Sequence, residues 1–112
     1  MRNRLIAAVM SATIIATVPT MALAGDRDNA RVAIAAAKAK IDLNEKNGMT
    51  GEAANIQAKA RVAIEKAQHE FDKSDEDTAQ AAAKEADALA DLASSTQQKQ
   101  IIEGQTAAVA AN

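Results

Sequence analysis

At 112 residues, with Phe71 as its only aromatic and no cysteine, the chain is too short for two ordinary domains, too poor in aromatics for a sheet protein and unable to form disulfides. Nothing in its formal net charge of −2 favours the concentrated basic surface that a nucleic-acid backbone demands, so no nucleic-acid partner is expected. Alanine is the commonest residue, and with Lys, Gln and Glu it favours helix, which makes all-α the expected class.

Residues 1–24 read as a secretory signal peptide. Arg2 and Arg4 supply a basic start, Leu5 to Val18 is an uncharged apolar run, and Ala22-Leu23-Ala24 is a small-x-small cleavage site. A membrane anchor is the rival reading, but a span needs about 20 apolar residues and this run is shorter. Export is therefore expected, to the periplasm of a Gram-negative bacterium or beyond it by secretion. No Cys follows the cleavage site to accept a lipid, so no stable membrane anchor is expected after cleavage. Setting aside Arg2 and Arg4 leaves 11 of the 13 basic residues against 15 acidic ones, a formal charge of −4.

The remaining chain divides into a helical domain, 25–104, and a small-residue tail, 105–112, expected to be disordered. Helix 1 is predicted over about 28–47, with Asp26 or Asp28 as its cap and Asn47-Gly48 as its stop. Helix 2 opens at Thr50 or Gly51 and reads through to 72. Ser74-Asp75-Glu76-Asp77 places a capping hydroxyl ahead of several acids, which starts helix 3 over about 75–103, with Gly104 as its end. Short links make neighbours antiparallel. The expected architecture is an antiparallel three-helix up-down-up bundle with Ala-rich seams, or a coiled-coil-like helical hairpin carrying a third helix.

Within this pattern, Ala30-Arg31-Val32-Ala33-Ile34 returns unchanged as Ala60-Arg61-Val62-Ala63-Ile64, a repeat of 30 residues. Its apolar positions form a core seam, Ala30, Ile34, Ala37 and Ile41 on helix 1, answered by Ala60, Ile64, Ala67 and Phe71 on helix 2, with Ala53 and Ile56 extending it. Helix 3 offers Ala79, Ala82, Ala86, Leu89, Ala93 and Thr96 at the same rhythm. The copies differ on their other side. Helix 1 carries a second apolar stripe, Val32, Ala36, Ala39 and Leu43, where helix 2 has Val62, Lys66, His69 and Lys73. Either helix 1 touches both other helices through separate faces, the more economical reading, or its second stripe meets another molecule. Ile101 and Ile102 lie off the helix 3 stripe; they serve as a hydrophobic cap over the bundle end or in association.

Alanine seams bury little area, while each fully buried Leu, Ile, Val, Phe or Met is worth roughly 1.5–3 kcal/mol. The monomer should be marginal, and self-association would offset part of the deficit. The sequence offers little for chemistry. His69 is the only histidine, with Glu65 and Asp72 one helical turn away on either side, a weak metal-site pattern whose ordinary explanation is a solvated charged face. Asp75-Glu76-Asp77 lacks the glycine turn of a calcium loop. Asp87 and Asp91, four apart, read as an outward pair facing water. No nucleophile elbow, phosphate-cradling loop or zinc motif occurs, so neither an enzyme nor a cofactor is expected.

Ala35-Ala36-Ala37-Lys38-Ala39-Lys40-Ile41, the Gly48 to Gly51 break, Ala58-Lys59-Ala60 through Ala67, Phe71-Asp72 and Ala81-Ala82-Ala83-Lys84-Glu85-Ala86-Asp87 together resemble an exported family classed as a domain of unknown function. Its members are small Ala-rich bacterial envelope proteins, some of them lipoproteins, and the domain also stands ahead of OmpA-like peptidoglycan-binding domains. The resemblance spans roughly 30–95, implies an envelope location and brings no catalytic residues. The function expected from all of this is a non-enzymatic periplasmic structural or adaptor protein acting through helix–helix contacts. Its partner would be a second copy or another envelope protein, and its contact face Val32, Ala36, Ala39 and Leu43. The alternatives are a periplasmic chaperone or stress-binding protein, and a weak metal binder at His69.

Overall fold

A computed structural model describes residues 25–111; the expected signal peptide lies outside the described residues. The protein is all-α, with three helices in up-down-up order: α1 Asp26–Asn47, α2 Gly51–Asp72 and α3 Glu76–Ala111. Both α1 and α2 pack along α3 more extensively than along each other.

The helix ends follow from local chemistry. Gly25, extended, is the residue before α1, and its carbonyl accepts from Asn29 N–H at 2.9 Å. Asp26 and Asp28 sit inside the first turn, where they oppose the positive end of the helix dipole instead of capping it as expected. At the other end Gly48, with φ of 82°, turns its N–H back to the Asn44 and Glu45 carbonyls, as the Asn-Gly pair predicts. The next link departs from expectation. Ser74 occupies the left-handed region with φ of 66°, and the Asp75 N–H returns to Glu70 O at 2.9 Å, closing α2. A residue used in that way is not available as an N-cap, so Asp75 takes the role, its Oδ1 accepting from Thr78 N–H at 3.2 Å.

Ala30, Ile34, Ala37 and Ile41 are buried, as are Ala53, Ile56, Ala60, Ile64, Ala67 and Phe71 on α2. On α3 the seam is wider than the periodicity suggests. Ala83 and Ala90 join Ala79, Ala82, Ala86 and Ala93, because this helix has two neighbours to cover, while Leu89 and Thr96 are half-buried at its border. The core contains twelve alanines and only five larger side chains, so backbone approach, not side-chain bulk, fills it.

The third helix does not stop at Gly104, and residues 105–111 are helical instead of disordered. Gly104 has no positive φ that would turn the chain. Its cost in an exposed helix, about 1 kcal/mol, is set against four alanines in the final turns, at 107, 108, 110 and 111. A helix of 36 residues is roughly 54 Å long, well beyond the 22 residues of each neighbour. Residues 101–111 are exposed and overhang the bundle; Ile101 and Ile102 do not fold over its end.

Candidate interaction surface

Three features fix how α1 is held and therefore what it presents outward. At the first end of the bundle, the Arg27 guanidinium lies 3.9 Å from the centroid of the Phe71 ring and pairs with Glu76 Oε2 at 3.1 Å. One arginine thus ties the start of α1 to the end of α2 and the start of α3.

Halfway along, Lys40 Nζ reaches Asp87 and Asp91 of α3, each at 3.0 Å. The two acids, read from sequence as an outward pair, are the α3 half of this bridge. Partial burial of Lys40 works against its charge. The hydrogen bonds to Asp91 and Asp87 and the pull of their negative charge outweigh that, raising its pKa above the ordinary 10.5.

Toward the far end a buried polar layer joins all three helices. Asn44 Nδ2 donates to Gln57 Oε1 at 2.9 Å and to Ala90 O at 2.8 Å. Gln57 Nε2 donates to Ile41 O and to Glu45 Oε2, each at 3.0 Å. Both side chains are only 4% exposed. Glu45 also takes Arg61, at 3.1 Å. The hydrogen bond from Gln57, more than the charge of Arg61, lowers the Glu45 pKa below its ordinary 4.5. Only one register of α1 against α2 and α3 satisfies this set, which makes it an alignment device. Sequence reasoning passed over it. The signal was present: Asn44 continues the three-four rhythm of Ala30, Ile34, Ala37 and Ile41, and Gln57 lies between Ala53 and Ala60 on the α2 seam.

The start of α2 is capped from another helix. Gln97 Oε1 accepts from Thr50 N–H at 2.9 Å and Gln100 Oε1 from Ala53 N–H at 3.2 Å. A Cβ at Gly51, itself at φ of 58°, would meet Gln100 Oε1 at 3.3 Å.

Held in this way, α1 turns Val32, Ala36, Ala39 and Leu43 to solvent; Val32 is 44% and Leu43 58% exposed. The expectation that this stripe contacts a neighbouring helix is overturned. In a triangular bundle the two neighbours of a helix lie about 60° apart, so one seam serves both, and a stripe roughly opposite to it reaches neither. The same side of α2 shows Val62, 66% exposed, beside exposed Lys66, His69 and Lys73. Val62 borders a shallow groove of about 480 Å³ between α2 and α3, with Ala63 and Leu89 in its floor and Lys59, Lys66 and Glu85 at its rim.

His69 is exposed, and Asp72 accepts a hydrogen bond from Gln68 at 3.1 Å. Among the described residues no group of three or more His, Cys, Asp or Glu is placed to hold a metal ion. Likewise, no described helix is long and apolar enough to cross a membrane. Comparison of the chain with protein-family models, with curated proteins and with solved structures finds no match.

Proposed function

We propose that this chain is a non-enzymatic structural or adaptor protein of the bacterial periplasm that acts through helix–helix contact, with Val32, Ala36, Ala39 and Leu43 of α1 as its contact face. The observation that carries the reading is the exposure of that uncharged stripe on a helix already anchored at Arg27, Lys40 and Asn44. A fold that needs only one seam of α1 gives no reason to keep Val32 and Leu43 on the other side. A ridge with large residues at its ends and alanines between them suits a partner helix, since small residues let two backbones approach. The basic start, apolar run and Ala22-Leu23-Ala24 site support export, and the resemblance to envelope proteins supports the compartment.

A photo-reactive residue in place of Leu43, in the cell that makes the protein, tests the reading. The expected outcome is a discrete crosslinked adduct of defined mass. Irradiation that yields only uncrosslinked chain would remove the proposal.

A further inference from the structure

Resting on that reading, we infer that the partner helix is α1 of a second copy, docked antiparallel about a two-fold axis between residues 37 and 38. The stripe is self-complementary. Its members are spaced four, three and four, and its sizes run large, small, small, large, so it reads alike in both directions. Antiparallel docking sets Val32 against the partner's Leu43 and Ala36 against the partner's Ala39. The alanine pairs at the centre permit close approach, and the four large side chains cover the ends.

Charge fixes the direction. At about 100° per residue, Asp28 and Lys46 lie on one flank of the stripe, each about 50° from its centre. Arg31 and Asp42 lie further round the same flank, at about 100°. Read from the N-terminus that flank is Asp28, Arg31, Asp42, Lys46, or minus, plus, minus, plus. Reversed, it is plus, minus, plus, minus. An antiparallel copy therefore brings Asp28 within one residue of level with the partner's Lys46, and Arg31 within two residues of level with the partner's Asp42. A parallel two-fold pair sets this flank and its copy on opposite sides of the contact, so Asp28 and Lys46 lose each other. Asp28 already accepts Arg31 at 2.8 Å and stays exposed enough to take a second cation. Lys46 makes no ion pair among the described residues. On the other flank Lys40 is held by Asp87 and Asp91, so its charge is answered before a partner arrives.

One helix pair buries less than the roughly 1,200 Å² typical of stable complexes, so the dimer is a weak one, with a dissociation constant on the order of 0.1–1 mM. Sedimentation equilibrium of the chain as it is isolated from the producing cell, over about 10 µM to 2 mM, is the test. The mass should rise toward twice the monomer value. Leu43→Lys should weaken association at least about tenfold. Asp28→Lys and Lys46→Asp should each weaken it about three- to tenfold, and the double variant Asp28→Lys/Lys46→Asp should recover it. All these positions are exposed, and unchanged helicity by circular dichroism verifies that each variant folds. A monomeric mass throughout, association indifferent to Leu43→Lys, or a double variant no better than the singles overturns antiparallel self-docking. The wider reading would survive a monomer if the Leu43 adduct contains a different protein; it would fall with no adduct at all.

Discussion

The two copies of the repeat share their buried seam and part on the outer face, from Ala36 onward in the first and Lys66 onward in the second. Ala30, Ile34, Ala37 and Ile41 face the core as Ala60, Ile64, Ala67 and Phe71 do. On their outer sides Ala36, Ala39 and Leu43 correspond to Lys66, His69 and Lys73, and both sets are exposed. Packing thus governs the seam and leaves the outer face free. A polar outer face, as on α2, is the ordinary product of that freedom, and an apolar one, as on α1, calls for a separate cause. Contact with another helix is such a cause.

Substitution in the seam should have the largest effect. Ile41→Ala removes one of five large core side chains and should cost about 2–5 kcal/mol in urea unfolding. Leu43→Ala, two residues on and pointing outward, should change stability by no more than about 0.5 kcal/mol. Equal losses at the two positions would mean that the outer stripe is packed within the monomer.

At the polar layer, Asn44→Ala leaves Gln57 Oε1 and Ala90 O without their donor and should cost about 1–3 kcal/mol. The double replacement Asn44→Leu/Gln57→Leu should recover much of that loss while relaxing the alignment of α1, read as broadened amide resonances in its last two turns. A smaller gain is expected from Ser74→Gly. It removes the left-handed strain of a residue with a Cβ and should raise stability by about 1 kcal/mol.

The smallest effect is on acidification. A carboxyl whose pKa is lowered on folding stabilises above its unfolded value, and that contribution is lost as pH falls through the folded one. Glu45 should therefore contribute fully above its ordinary 4.5 and lose that contribution as pH falls below it. Glu45→Gln should flatten that part of the stability profile and leave the neutral region nearly unchanged, since the group is exposed.

The all-α class, the three helices, their up-down-up order and the α1 and α2 seams were legible in the sequence, because alanine and the three-four rhythm leave little else for the chain to form. Legibility failed where a tertiary contact decides. Gly104 resembles a stop only if the chain turns there, and nothing beyond the bundle makes it turn. Ser74 and Asp75 are both capping residues by type; the closure of α2 assigns one to the turn and the other to the cap. Asn44 and Gln57 were missed because a search for apolar periodicity discards polar residues on the seam, where buried amides have the most to say about register. The candidate face was visible residue by residue, but its exposure was not. That depended on a single seam serving two neighbours, a property of the triangle that no one helix displays.

The most direct measurement compares the same position in the two copies. A photo-reactive residue is placed at Leu43 in one chain and at its counterpart Lys73 in another, and adduct yields are measured at equal expression in the producing cell. A discrete adduct at Leu43 and background at Lys73 are expected. Equal yields at the two positions would contradict a contact face on α1.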